Sequence, residues 1–369
     1  MMSWKTPLAA AAAAVLAAGL TAGPAAPASA ATRGGFTPVP LPFFWPNNSL
    51  YDVAAASPDS VWIAGNQGEL LVPGPIPGTG RTIPGNPVVR RWKNGGWVEY
   101  DLQGLPNHGT IVDVDAAGPE DVWINGPKYA DDNSTTPYLA HFTGSAFAQV
   151  ALPAGASAAS LQADASGVWV STATDVYRRS GDTWAHITTL PDIYLSASYI
   201  RIDDDIWTLG TASQYDRTPV AQHWDGRSWH SVPVNATVPG TSFTDMIALS
   251  PTDAWATGIS YTTSPTAPIL MHWNGTAWTN VTVPAGLNAL TRIAKGDDGT
   301  LWAVGHSLDE PAKPGLLRYS DGTWTRVPTT AVPNRSNIYA TSLAVVPGTG
   351  ALWTLGSVNI GGPVVLADG

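Results

Sequence analysis

A short strand-like run ending near a tryptophan recurs along this chain, at Trp62, Trp123, Trp169, Trp207, Trp255, Trp302 and Trp353. The spacing, roughly 40 to 60 residues, is that of supersecondary units that cannot bury an apolar face alone and must stack against copies of themselves. Architecture is therefore constrained before any chemistry is read: a solenoid, a propeller or another repeat array.

The clearest copy covers residues 243–283. Residues 243–249 are β-rich. Ser250-Pro251-Thr252-Asp253 predicts a turn, because Pro presets φ and Asp bonds its own backbone. Residues 254–258 form a second strand, residues 260–268 a polar loop, and residues 269–273 a third strand. Asn274-Gly275 predicts a hairpin, since both residues tolerate positive φ, and residues 278–283 form a fourth strand. The first turn recurs before Trp62 (Ser57-Pro58-Asp59), Trp123 (Gly118-Pro119-Glu120-Asp121) and Trp302 (Asp297-Asp298-Gly299). The second recurs as Asn94-Gly95, Thr143-Gly144, Ser180-Gly181, Asp225-Gly226 and Asp321-Gly322, each followed by Trp97, Phe147, Trp184, Trp229 or Trp324. No segment carries a helical period over ten residues.

The ends constrain the arrangement further. The seventh copy supplies three strands and stops at Asp368-Gly369, where the second turn belongs. Residues 34–40 (Gly-Gly-Phe-Thr-Pro-Val-Pro) match residues 322–328 and supply the missing strand. The expected fold is therefore all-β: a seven-bladed β-propeller of four-stranded antiparallel blades, with residues 34–40 pairing with residues 341–369 to close the last blade. Such closure removes open sheet edges.

Residues 1–30 read as a secretory signal peptide: Lys5, an apolar core over residues 8–20, and Ala28-Ser29-Ala30 as the cleavage site. The expected mature chain, residues 31–369, is one propeller domain, and loss of Lys5 takes the formal charge from −10 to −11. An acidic chain is a poor match for nucleic acid or anionic membrane, so neither is expected as a partner, and membrane insertion is not expected either. Cysteine is absent, which excludes disulfides, thiol nucleophiles and Cys-ligated metals. The fold must be held by its own core.

The pattern Ser-Pro-x-Asp-x-Trp-x-x-Gly at 250–258, then His-Trp-Asn-Gly-x-x-Trp-x-x-Val at 272–281, resembles the secreted β-propeller repeats of high-GC Gram-positive bacteria. It also resembles kelch and tectonin propellers; Gly167-Val168-Trp169 with Val176-Tyr177-Arg178-Arg179 and Trp184 is especially tectonin-like. The kelch Gly-Gly pair is reduced to one glycine, as at Gly258 and Gly305. The resemblance covers nearly all of the expected mature chain. It implies a fold rather than an activity, since such rings host lectins, enzymes and scaffolds.

Six residues before each fourth-strand aromatic stands Arg91, His141, Arg178, His223, His272 or Arg318. Repetition favours a packing role over a ligand-binding one. Function is expected where the repeat breaks, in the loops between second and third strands and in the links between blades. Candidate ligand-binding residues there are Trp45, Asp131, Asp132, Tyr215, Asp216, Arg217, Tyr261, Asp309 and Glu310. His306 and His108 are the candidate catalytic residues, His306 as an acid–base partner of Asp309 or Glu310. Asp131-Asp132-Asn133 could hold calcium; otherwise neither cofactor nor metal is expected. Asp203-Asp204-Asp205 reads as an exposed turn. The expected function is a secreted, monomeric, non-catalytic protein binding an extracellular glycan, wall component or exported protein. The alternative is a lyase or hydrolase at the channel mouth.

Overall fold

The computed structural model describes residues 35–74, 81–130, 132, 134–156, 160–216, 218–235, 240–357 and 362–368. The proposed signal peptide, Asp131, Asn133 and Arg217 lie outside them.

Among the described residues the chain is all strand and turn, without a helix. The first sheet runs Ser49–Ser57, Ser60–Gln67, Asn86–Lys93, Gly96–Glu99. The second is Asp113–Gly118, Asp121–Tyr129, Thr135–Phe142, Ala146–Gln149, and the third Ser160–Asp164, Gly167–Ser171, Asp175–Ser180, Thr183–Thr189. The fourth is Tyr194–Ile202, Asp205–Thr211, Pro219–Trp224, Trp229–Val232; the fifth, Thr241–Ser250, Asp253–Ser260, Ala267–Trp273, Trp278–Asn280. Leu287–Lys295, Leu301–Ser307, Pro314–Ser320 and Thr323–Arg326 follow as the sixth. In the seventh, Tyr339–Val345, Leu352–Ser357 and Val364–Ala367 are joined by Thr37–Pro38 from the other end of the chain, with Thr37 opposite Ala367.

Three details depart from uniform four-stranded sheets. Asp101–Leu102 and Val234–Asn235, in the links, pair parallel with the outer strand of the sheet that follows them. A small hairpin, Leu70–Val72 with Arg81–Ile83, decorates the first sheet's long loop. One bridge, His306 to Tyr339, joins the sixth group to the seventh.

The glycine three residues after most landmark tryptophans has a steric cause. A bulge brings the first strand close to the second, and a Cβ on Gly65 or Gly305 would lie 2.0 Å from the carbonyl oxygen of Ser49 or Ala289. No larger residue fits without moving backbone.

The core lies between sheets. Trp62 of the first sheet packs on Phe142 and Phe147 of the second, at 4.9 and 5.5 Å between ring centres. Trp207 of the fourth meets Trp273 and Trp278 of the fifth, and Trp255 of the fifth meets Tyr319 and Trp324 of the sixth. Phe36, in the strand from the N-terminal side, is buried in the cluster of the sixth and seventh sheets, at the position that Trp324 occupies in its own repeat.

Candidate functional site

Six of the seven landmark tryptophans sit opposite one of the repeated His or Arg residues across a strand pair, and the seventh, Trp353, faces Ala367. His141, His223 and His272 stack on Trp123, Trp207 and Trp255 at 4.2, 4.0 and 4.1 Å. Arg91, Arg178 and Arg318 lie over Trp62, Trp169 and Trp302 at 5.4, 5.4 and 5.6 Å. The imidazole Nε2 atoms bond Asp121, Asp205 and Asp253, each two residues before its tryptophan, at 2.8, 2.9 and 2.9 Å. Arg91 and Arg178 reach Glu120 and Asp203 in the first turn of the next sheet. All six residues thus have internal partners, as a packing role requires.

Asp203-Asp204-Asp205 corrects the expectation of an exposed turn. Residues 203 and 204 do turn, but the Asp205 side chain is 2% exposed. It accepts the Trp207 indole N–H and binds His223 and Arg201. Burial alone would raise its pKa, yet these donors hold it below the usual carboxylate value. Asp203 accepts the Trp169 indole N–H from the preceding sheet.

A second repeated layer lies on the first strand of five sheets, the edge strand here called innermost. Asp52, Asp113, Asp245, Arg292 and Ser342 occupy equivalent registers, each opposite the residue two beyond a landmark tryptophan. Four of them make the same contact: the side chain accepts the backbone N–H next to the equivalent position in the following sheet. Asp52 takes Val114 N–H, Asp113 takes Leu161, Asp245 takes Ile293, and Ser342 takes Val53. Asp115 and Gln162 add bonds to Ala163 and Ile200. Ser342 also donates to Asp52 at 2.6 Å.

The layer is rich in carboxyl groups. Burial, followed by the like charges of Asp115 and Asp52, holds Asp113 well above the usual range. Asp115 is pushed up to about 8 by burial and then by Asp52. Asp245 rises to about 6 by burial, opposed by Arg292 and the Ile293 amide. Asp52 is one of the acidic neighbours that favour the neutral form of Asp113. Asp113, Asp115 and Asp245 keep some solvent contact although protein surrounds them. The sequence reading missed this layer. Its signal was available: Asp52, Asp113, Asp245 and Arg292 each stand ten residues before a landmark tryptophan.

The predicted site residues fall differently. Trp45 is 59% exposed, packed edge-on against exposed Phe43; its N–H donates to Gln67 and its carbonyl accepts from Asn48. Tyr215 and Tyr261 are exposed on the loops that follow Asp205–Thr211 and Asp253–Ser260. Asp132 and Asp216 cap their own turns, accepting from Ser134 and Thr218, and these bonds lower both pKa values. Asp309 forms a two-pronged pair with Arg326, which first among its contacts pulls its pKa to about 2. Glu310 binds Lys313 and Arg326.

The proposed acid–base pair is not assembled. His306 bonds Asn288 at 2.7 Å and stacks on Tyr339 at 4.1 Å, whereas Asp309 and Glu310 turn to Arg326 because its charge outweighs a neutral imidazole. Burial lowers the His306 pKa, which keeps the ring uncharged. His108 has a φ of 48° in the link before the second sheet, where its carbonyl accepts from Tyr129. Among the described residues no group of three or more His, Asp or Glu side chains is arranged to hold a metal ion.

No protein-family model matches the chain, and no curated protein matches its sequence. Solved structures do. A GH74 xyloglucanase from Xanthomonas campestris aligns over 90% of this chain with 13% identity and a TM-score of 0.57. This chain spans about half, 53%, of that one. A protein of unknown function from Dyadobacter fermentans aligns over 90% of this chain and 98% of its own (12% identity, TM-score 0.48). A fucose-specific lectin from Aleuria aurantia aligns over 79% and 99% (12% identity, TM-score 0.40). At these identities the likeness is one of fold, and the fold is of β-propeller type.

Proposed function

We propose that the sheets close into a seven-bladed propeller of kelch-like or tectonin-like type, exported after removal of residues 1–30. It binds an extracellular glycan, a wall component or an exported protein, as a monomer, without catalysis and without cofactor or metal. Closure is supported by the Thr37–Ala367 pairing and by the Ser342 bonds that tie the seventh sheet's innermost strand to the first's.

The observation that carries the binding role is an asymmetry of exposed apolar surface. Among the described residues, every strongly exposed large apolar side chain except Val98 lies where innermost strands begin or second strands end. Six are aromatic: Phe43, Trp45, Tyr51, Tyr194, Tyr215 and Tyr261. Rigid aromatic side chains on loops supply contact area at small entropic cost, and apolar surface gathered in one region marks recognition. Asp132, Asp216, Asp309 and Glu310 are the polar residues of the same loops, with Asp131 and Arg217 adjacent in sequence.

A glycan array and a pull-down against wall fragments and exported proteins test this reading. The wild-type chain should bind, and the combined Trp45→Ala, Tyr215→Ala, Tyr261→Ala variant should lose at least about tenfold in affinity, with Val98→Ala unchanged. No binding above background, or equal binding by the triple variant, ends the proposal.

One observation favours the alternative, an extracellular hydrolase or lyase: the acidic cluster of Asp52, Asp113 and Asp115, in which burial and like charges hold Asp113 and Asp115 above the usual carboxylate range. A carboxyl group that keeps its proton near neutral pH can serve as a general acid. This reading moves the catalytic role from His306 and His108 to the innermost strands. Turnover of a polysaccharide panel, lost in Asp113→Asn and kept in His306→Ala, would support it.

A further inference from the structure

Between the fifth and sixth sheets lies a cavity of about 420 Å³, lined by Leu249, Asp253, Trp255, His272, Leu301 and Tyr319, with Thr252, Asn274 and Gly299 among its other walls. It lies at the end of the sheets opposite the exposed aromatic residues, beside the first turn and the hairpin turn. Its size is that of a small-ligand or side-chain pocket.

The fourth sheet shows what can occupy such a place. In the sheets of Trp62 and Trp169 the guanidinium over the ring comes from Arg91 and Arg178, at the strand position that His272 holds over Trp255. In the fourth sheet, whose Asp–Trp–His stack matches that of the fifth, Arg201 binds the second oxygen of Asp205 at 2.5 Å. Arg201 stands four residues before Asp205; Leu249 stands four residues before Asp253. The two occupy the same bulge between first and second strands. At Asp253 the one ion-pair partner among the described residues is His272, on Oδ1, and the Asp253 side chain is 44% exposed. On the sixth-sheet side of the seam the first turn brings Gly299, three residues before Trp302, where the second sheet brings Glu120, three residues before Trp123.

The fifth sheet therefore keeps the carboxylate, the histidine and the aromatic walls and has Leu249 where the fourth has Arg201. We propose that this cavity is a receptor for a guanidinium group, filled by an arginine side chain of a peptide or protein partner as Arg201 fills its counterpart. The recognising chemistry is a charge-assisted bond to Asp253 and cation–π contact with the half-buried Tyr319 ring, beside Trp255. The chain's formal charge of −10 favours approach of a cationic segment. This site is separate from the aromatic loop surface, and neither proposal needs the other.

The test is titration of the full chain with Nα-acetyl-L-arginine amide, followed by calorimetry and by the assigned indole N–H resonances. The expected result is a saturable shift centred on Trp255. Affinity should fall about tenfold or more in Asp253→Asn and stay unchanged in Asp121→Asn. Leu249→Arg, which restores the missing arginine, should abolish probe binding with the fold intact by circular dichroism. Should that variant not fold, Thr252→Trp at the exposed rim should block the probe instead. Absence of a saturable response in the wild type, equal binding by Asp253→Asn and Thr252→Trp, or a response to neutral monosaccharides without one to the arginine probe each overturns the proposal.

Discussion

Asp205, between two sheets, and Asp113, on the innermost layer, are both surrounded by protein, yet their carboxyl groups move in opposite directions. Asp205 has the smaller exposed area, but three donors converge on it, and its charge is favoured. Asp113 has a single backbone amide and two acidic neighbours, and its neutral form is favoured. Burial pushes both groups up; at Asp205 the donors outweigh it, and at Asp113 the acidic neighbours add to it. The seam stacks are ionic hydrogen-bond assemblies, whereas the innermost layer is held in part by protons.

That contrast breaks first at Asp205. Asp205→Ala strips partners from the Trp207 indole, His223 and Arg201 in a buried setting, so stability should fall by about 3–5 kcal/mol. A urea denaturation midpoint shift corresponding to less than about 1 kcal/mol would mean that the stack carries no more than a surface ion pair does.

The innermost layer should announce itself through pH. Asp113, Asp115 and Asp245 have folded-state pKa values above the unfolded value, about 8 for Asp115 and about 6 for Asp245. Their contribution is complete below about pH 4 and is lost as pH rises through the folded values. Between roughly pH 5 and 9, stability should therefore decline, on the order of a few kcal/mol. Asp115→Asn should flatten that decline. Asp309 acts oppositely, since a lowered pKa favours folding above pH 4 and that contribution fades toward pH 2. A thermal melting series from pH 5 to 9 that is flat for the wild type would show that the carboxyls are ionised throughout.

Ser342→Ala removes both the acceptor for Val53 N–H and the donor to Asp52, between the seventh and first sheets. The site is 1% exposed, so the expected loss is about 1–3 kcal/mol. Hydrogen exchange at Val53 should quicken in the same variant.

Much of this was legible in the chain because it is local. At Asn94-Gly95 and Asp321-Gly322 both residues have positive φ, as the hairpin reading required. The Trp–His and Trp–Arg stacks follow from strand register, which the turns set. The innermost layer was less legible, because Asp52 and Val114, or Asp113 and Leu161, lie some fifty to sixty residues apart and meet only when sheets pack. Asp205 was misread for a related reason: its turn looks polar, but Arg201 and His223 from neighbouring strands enclose it. Asp132, Asp216, Asp309 and Glu310 lie on loops, and the Arg326 that neutralises Asp309 stands seventeen residues on, on an outer strand, a pairing that no local pattern shows.

The smallest effect is expected at Asp121, which makes the same contacts to Trp123 and His141 as Asp205 makes in its own sheet. Here the carboxylate is 54% exposed and the imidazole 35%, so water replaces most of what the substitution removes. Asp121→Ala should cost about 0.2–1 kcal/mol, against several for Asp205→Ala. Added salt should narrow what remains of the difference between Asp121→Ala and wild type, since screening acts on exposed pairs and little on enclosed ones. Equal losses at the two positions would mean that the stacks stabilise through ring packing alone and that the carboxylates are incidental to both.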